Sequence, residues 1–193
     1  MRPVVVMIAT AWLASCADAP RAILMDGDYL KNHDLKVAVL DVYDSTGMRL
    51  SATLGPELAK RLRDEGYAGA RNAPSATRGI DWTEQDAAAA AKAKSVDAAL
   101  LCSVEFAEEP AATKTPAVES VYAEPGHPAN ARRDYYIEET NRAQKRRLLI
   151  ARARMVEAAT GRTVYEVEYR TRSSDVGAES LAGELLAPLA GLH

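Results

Sequence analysis

The run Leu35-Lys36-Val37-Ala38-Val39-Leu40-Asp41-Val42-Tyr43 decides the fold of this chain. Apolar residues occupy almost every position, and several of them are β-branched. Such a continuous apolar pattern is typical of a strand that is buried on both faces of a sheet. We therefore expect residues 35–43 to form the central strand of the domain, with Asp44-Ser45-Thr46-Gly47 as the turn that follows it.

Helix and strand patterns alternate downstream of this strand. A helix is predicted first, from leucines at helical spacing with a proline near the start and a glycine past the end: Leu54, Leu58, Leu62, Pro56 and Gly66. Residues 67–70 are predicted as a short strand. A capping box at Thr83 to Asp86 then begins an alanine-rich helix that leads into a strand at about residues 98–106. This order predicts right-handed crossovers and a parallel core.

The pattern changes after residue 106. Residues 107–146 contain four prolines, Pro110, Pro116, Pro125 and Pro128, and no sustained period, so we expect a long loop there. Residues 149–156 and 163–170 alternate apolar and polar side chains around a turn at Thr160-Gly161, which predicts an antiparallel hairpin. The leucines after Ser180 predict a closing helix, capped by Asp175 or Ser180. The prediction is one three-layer α/β domain over residues 35–193: β-α-β-α-β, the long loop, the hairpin and a C-terminal helix on a mixed sheet.

The N-terminal segment has the three parts of a secretory signal. Arg2 precedes an apolar run from Val4 to Leu13, and small residues precede Cys16. The apolar run is shorter than the ~20 residues that a membrane-spanning helix needs. Residues 1–15 are thus expected to be a signal peptide, and residues 16–34 a polar tether without regular structure.

The four residues Leu13, Ala14, Ser15 and Cys16 resemble the lipobox of bacterial lipoproteins. The resemblance implies that Cys16 becomes the first residue of the mature protein and carries a diglyceride on its sulfur and a palmitate-type acyl chain on its amine. In enteric bacteria an aspartate directly after this cysteine retains a lipoprotein in the inner membrane, and here that position is Ala17. We therefore expect lipid anchoring in the outer membrane, facing the periplasm.

Composition and motifs argue against several classes of protein. Charged residues make up 26% and hydrophobic residues 48% of the 193, as in an ordinary globular domain. The sequence contains no Gly-rich phosphate loop, no G-x-S-x-G, no H-E-x-x-H and no C-x-x-C. Asp41 and Asp44 stand at the end of the first strand, but two residues separate them and turn chemistry explains both. We expect no catalytic residue, no metal site and no cofactor, with a hydrolytic enzyme as the least favoured reading.

Cysteine and histidine usage agrees with this view. Cys102 lies in an apolar run of strand length, where a free thiol behaves as a small buried hydrophobe. The histidines His33, His127 and His193 are far apart and share no ligand spacing.

Basic residues concentrate near the end of the long loop and on the hairpin. Residues 131–172 contain 11 basic and 6 acidic residues. Arg142, Lys145, Arg146 and Arg147 stand together just before the first hairpin strand and are candidate partner-binding residues. The alternative is that Arg152 and Arg154 pair with Glu166 and Glu168 across the hairpin as an ordinary solvated face. A nucleic-acid partner is not expected in the periplasm.

The order of elements, with the phrases "KVAVLDVYDSTG", "SVDAALLCSVEF" and "IARARMVEAATGRTVYEVEY", resembles a group of envelope proteins. The group comprises the α/β lipoprotein domain of the curli secretion channel, the lipoprotein activators of penicillin-binding proteins and the N-terminal domain of the Tol translocation protein. It implies a non-catalytic accessory protein for an envelope machine, such as a peptidoglycan synthase, that binds a periplasmic or membrane protein partner.

The alternative is a subunit of an oligomeric curli-type export channel, and self-association stays open in both readings. A channel subunit would send strands of about 9–11 residues through the bilayer. The longest gap between the prolines of the long loop is residues 117–124, and the apolar residues Tyr135-Tyr136-Ile137 are followed at once by Glu138 and Glu139. Both features favour the accessory role.

Overall fold

The structure is a computed structural model that describes residues 19–75, 81–109, 146–173 and 175–192. Within these ranges the chain forms six strands, four α-helices and one 3-10 turn. Their bounds are β1 Arg21–Met25, α1 Gly27–Leu30, β2 Val37–Asp44, the 3-10 turn Leu50–Ala52, α2 Leu54–Asp64, β3 Arg71–Asn72, α3 Glu84–Ala93, β4 Ala98–Glu109, β5 Arg146–Glu157, β6 Thr163–Thr171 and α4 Ala178–Ala190.

The six strands form one mixed sheet in the order β1-β6-β5-β4-β2-β3. β2 is parallel to both β3 and β4, whereas the pairs β4–β5, β5–β6 and β6–β1 are antiparallel. The predicted class, an α/β domain with a mixed sheet, is therefore confirmed. The prediction that β2 is the central strand is wrong, because the antiparallel half of the sheet is larger than the parallel half and places β4 and β5 in the middle.

Helices cover both faces of the sheet, which explains why β2 is apolar at nearly every position. Val37 and Val39 belong to one core cluster, with the leucines of α2 and α4. Ala38 and Leu40 belong to a second cluster on the other face, with the alanines of α3 and Trp82. All four β2 residues are at most 1% exposed. The alanines of α3 are small, so this helix lies close to the sheet.

The helices begin and end mostly as their sequences predict. Thr83 caps α3 by accepting a hydrogen bond from the backbone N–H of Asp86 at 3.1 Å. Gly66 has φ +94° directly after α2, in the region that glycine tolerates best. The predicted cap of α4 is wrong: Gly177 occupies that position, and no side chain bonds there. The strand predicted at residues 67–70 is also displaced, because Tyr67 turns inward and β3 starts at Arg71.

The domain begins earlier than predicted. Residues 21–30, assigned to the tether, form β1 and α1, and β1 pairs with β6 at the edge of the sheet. Leu30 of α1 is fully buried, and its carbonyl accepts a hydrogen bond from the Tyr67 hydroxyl. This corrects the boundary at residue 34.

The long loop is shorter at both ends than predicted. β4 continues to Glu109 and β5 begins at Arg146, so residues 107–109 and 146 belong to strands. The rest of the predicted loop lies outside the described residues. Among those described, residues 107–109 of β4 and 146–148 of β5 pair only with each other, because β2 stops opposite Val104 and β6 stops opposite Leu149. We call this two-stranded extension the β4–β5 arm.

Candidate interaction surfaces

The residues predicted to carry the lipid signal lie outside the described part of the chain. These are Leu13, Ala14, Ser15 and Cys16, and the same holds for two of the predicted partner-binding residues, Arg142 and Lys145. The first described residues, at 19 and 20, lead directly into β1. Cys16 therefore precedes the first residue of the sheet by only five positions.

The two remaining predicted binding residues lie at the end of the β4–β5 arm. Arg146 is opposite Glu109, and Arg147 is opposite Glu108. Arg147 is exposed, and its guanidinium carbon lies 5.9 Å from the centre of the Phe106 ring, within range of a cation–π contact. Arg147 thus has an acidic residue opposite it in the strand pair, so the charge at this position is not purely basic.

The basic side chains of the hairpin form a charge ladder across three strands, defined by Glu105, Arg152, Glu168 and Arg170. Arg152 Nη1 lies 2.5 Å from Glu105 Oε1, and Arg152 Nε lies 2.8 Å from Glu168 Oε2. Arg170 Nε lies 2.5 Å from the other oxygen of Glu168. The pairing predicted between Arg152 and Glu168 is confirmed, and Glu105 of β4 is an additional member.

Glu168 is the least exposed member of the charge ladder, with 11% of its side chain accessible. Burial alone would raise the pKa of Glu168, but the hydrogen bonds and charges of Arg152 and Arg170 outweigh it and hold the pKa below its usual value. Both carboxylate oxygens are used by arginines. The charge ladder therefore joins the strands of the sheet, and little of its charge is left for a partner.

Arg154, the other basic residue of the predicted pairing, contacts the α3 side of the sheet. It is opposite Glu166 in the β5–β6 register, and its Nη2 donates a hydrogen bond to the carbonyl of Trp82 at 2.7 Å. The guanidinium therefore fixes the segment that precedes α3.

The turn role predicted for both aspartates is confirmed for Asp44 and wrong for Asp41, which lies within β2 and bonds a side chain distant in sequence. Asp41 is buried and accepts a hydrogen bond from the Trp82 indole N–H at 2.7 Å. Asp44 accepts hydrogen bonds from the backbone N–H groups of Thr46 at 2.8 Å and Leu50 at 2.7 Å. Burial alone would raise the pKa of Asp44, but the hydrogen bonds it accepts outweigh this and lower it.

Cys102 is buried among apolar residues of β4. Burial, with a smaller contribution from the charge of Asp41, raises the pKa of its thiol to about 12. A thiol of this kind is protonated at neutral pH and a poor nucleophile. Within the described ranges, no three His, Cys, Asp or Glu side chains are grouped so as to hold a metal ion.

A small groove of about 80 Å³ lies between α2 and α4, with lining residues that include Glu57, Lys60, Arg61, Asp64 and Glu179. Its charges are largely paired within α2. Lys60 lies 3.8 Å from Glu57, and Arg61 lies 2.8 Å from Glu65. The groove is therefore polar, with three acidic and two basic residues among those named.

The edge strand β1 is the surface that the sequence did not predict. All five of its residues are exposed. Among the described residues, its Ile23, Leu24 and Met25 are the large hydrophobic side chains with substantial exposure, at 54%, 41% and 37%. We call these three residues the β1 patch. The run of four apolar residues from Ala22 to Met25 could have indicated an ordered element. Because these residues do not alternate with polar ones, the run did not predict a strand with one exposed face.

No protein-family model and no curated protein sequence matches this chain. Comparison with solved structures does find a match, the PelC dodecamer from Paraburkholderia phytofirmans in space group P6. The TM-score is 0.53 at 17% sequence identity, and the alignment covers 90% of this chain and 97% of the PelC chain. The chain shares its fold with PelC.

A second PelC dodecamer structure from the same organism, in space group C2, aligns over 89% of this chain and 98% of its own at 17% identity, with a TM-score of 0.49. The first match spans nearly the whole of both chains. Among the described residues, no helix is long and apolar enough to cross a membrane.

Proposed function

We propose that this chain is a lipid-anchored accessory protein of the bacterial outer membrane that faces the periplasm, self-associates and binds protein partners without catalysing a reaction. The observation that carries self-association is the likeness to PelC, a protein solved as a dodecamer, over 90% of this chain. The alignment also covers 97% of the PelC chain, so the likeness extends over nearly all of the PelC subunit.

The roles of the chemically competent side chains support a non-catalytic function. Asp41 holds the Trp82 indole, and Asp44 holds the turn between β2 and α2. The Cys102 thiol is buried and protonated. A nucleophile or general base needs an accessible group with a suitable pKa, and each of these side chains is instead committed to the fold.

The lipobox at residues 13–16 supports membrane anchoring. If Cys16 is the lipid site, metabolic labelling with radioactive palmitate should mark the wild-type protein, which should also resist extraction by salt because several acyl chains hold a protein stably. Cys16→Ala should accumulate as an unlabelled precursor. Processing and membrane partition that remain normal in Cys16→Ala would exclude the anchor.

A subunit of a curli-type export channel is the second candidate, and the β4–β5 arm favours it. The arm extends past the rest of the sheet and leads into residues 110–145, where an export channel would need a segment beyond the core domain. In the accessory reading, residues 110–145 are instead the segment that binds a periplasmic partner such as a peptidoglycan synthase.

Deletion of residues 111–140 separates the two candidates. Glu109 and Arg146 face each other across the strand pair, so the shortened segment can still connect β4 to β5. The accessory reading predicts a folded, lipidated protein that keeps its oligomeric state and loses cross-linked partners in intact cells. The channel reading predicts loss of detergent-stable oligomers. A deletion variant that captures every wild-type partner and keeps its assembly would exclude both roles for this segment.

A further inference from the structure

The β1 patch presents Ile23, Leu24 and Met25 to solvent at the edge of the sheet. Clustered apolar side chains of this size on a surface mark a contact with another molecule or with a membrane. Edge strands of stable domains usually avoid such exposure by means of charges or prolines. The β1 patch therefore needs an occupant.

The position of the β1 patch in the chain places it next to the membrane anchor. Arg21, the first residue of β1, follows Cys16 by five positions. A fully extended chain advances at most about 3.6 Å per residue, so this tether reaches no more than about 18 Å. Tethering at this length keeps the effective concentration of the bilayer surface near β1 high, so that even a weak contact is populated.

The charges around the start of β1 match an anionic phospholipid surface. β6 runs antiparallel to β1, and Glu168 is opposite Arg21, so Arg170 and Arg172 lie on the side of the sheet where the chain enters β1. All three arginines are exposed, and the charge of Arg170 is partly compensated by its contact with Glu168. Two of the nearby acidic groups are paired: Glu168 contacts Arg152 and Arg170, and Asp26 lies 2.6 Å from Arg162. Glu166, opposite Leu24, is a third acidic group beside the β1 patch. Basic side chains beside an anchor attract lipid phosphates.

We propose that the β1 patch and its flanking arginines rest on the anionic phospholipid leaflet that holds the Cys16 anchor, and so fix the orientation of the domain on the membrane. The proximity argument rests on the lipid anchor of the proposed function. The alternative occupant is a second copy that extends the sheet through β1. The geometry favours lipid, because the register shifts between Ala22 and Leu24, and such a bulge interrupts the regular hydrogen-bonding edge that a further strand needs.

The first experiment tests the patch without the anchor. The complete mature chain with Cys16→Ser is mixed with vesicles of phosphatidylethanolamine and phosphatidylglycerol, and binding is measured by co-flotation. Adding Ile23→Ser, Leu24→Ser and Met25→Ser should lower the partition coefficient by about tenfold or more, because three half-exposed apolar side chains are lost. The matched control, Glu57→Ser with Lys60→Ser on α2, should bind like its parent. Circular dichroism melting checks that the variants fold.

The second experiment uses the lipidated protein in the same vesicles. An environment-sensitive fluorophore on Leu24→Cys should shift its emission to shorter wavelength and be quenched by nitroxide-labelled lipid, whereas the same fluorophore on Lys60→Cys should show neither effect. Replacing phosphatidylglycerol by phosphatidylcholine should weaken quenching at position 24.

The outcomes separate this inference from the proposed function. The membrane contact would be overturned, while the anchor stands, by three results together. The wild type would be labelled by palmitate, the probe at position 24 would not be quenched, and the serine variant would bind vesicles as well as its parent. If the wild-type protein is not labelled by palmitate, the anchor is excluded. If the serine variant still binds vesicles tenfold more weakly than its parent in that case, the membrane contact of the β1 patch stands without the anchor. Energy transfer between probes at position 24 of two copies, without quenching by lipid, would overturn the proposal in favour of a copy–copy interface.

Discussion

Replacing Arg152 by methionine should destabilise the domain by about 2 kcal/mol at neutral pH. Arg152 joins Glu105 to Glu168 across three strands, and methionine keeps much of the apolar stem while removing the guanidinium. Glu168 would then depend on Arg170 alone for charge compensation.

The magnitude follows from how far each member of the charge ladder is exposed. Removing one partner of a fully buried ion pair costs about 3–5 kcal/mol, whereas an exposed pair contributes about 0–1 kcal/mol. Arg152 is 40% exposed and Glu105 33%, but the Glu168 side chain is only 11% exposed. The expected loss of free energy of unfolding lies between these limits, because Glu168 is nearly buried but keeps its contact with Arg170. Arg170→Met is the matched control, and it should cost less, because Arg170 is 54% exposed and bonds a single carboxylate.

The effect should depend on pH. The pKa of Glu168 is lowered in the folded protein, so its contribution is present above the unfolded pKa of about 4.3 and is lost as the pH falls through the folded value. The difference in free energy of unfolding between wild type and Arg152→Met should therefore be largest near pH 7 and shrink below pH 4. Urea unfolding at pH 7, 5 and 3 measures it. Equal stabilities at pH 7, or a difference that stays constant to pH 3, would refute the structural role of the charge ladder.

Two further predictions concern the core and the arm. Val39→Asp should unfold the domain, because Val39 is 1% exposed and an unpaired buried charge costs several kcal/mol; a circular dichroism melt like that of the wild type would contradict this. Charge reversal at Arg146 and Arg147 should mainly slow association with an acidic partner and weaken its salt dependence, while the control Lys60→Glu should not. Unchanged association kinetics would remove the arm from the binding surface.

Local signals in the sequence were sufficient for most elements between residues 37 and 190. The apolar run of β2, the Thr83 cap and the glycine after α2 each depend on neighbours within a few residues, and each is observed where expected. The alternating pattern of β5 and β6 also predicted the antiparallel hairpin and a pairing of Arg152 and Arg154 with Glu166 and Glu168, of which the pair Arg152–Glu168 is observed.

The elements that the sequence did not predict depend on contacts between distant residues. β1 is a strand because β6 pairs with it, and its five exposed residues carry no buried–exposed alternation to reveal it. Glu105 joins the charge ladder only because β4 lies antiparallel beside β5, a pairing across the long loop that no local pattern encodes. The same long-range pairing moved the centre of the sheet from β2 to β4 and β5.

The mass of the lipidated full-length protein after mild detergent extraction tests the central claim most directly. Light scattering coupled to size-exclusion chromatography gives the protein mass independently of bound detergent. A self-associating accessory lipoprotein should elute as a single species whose mass is a multiple of the monomer. The monomer mass is close to 20.8 kDa less the signal peptide. Self-association would be contradicted if the lipidated protein had this mass at every concentration tested.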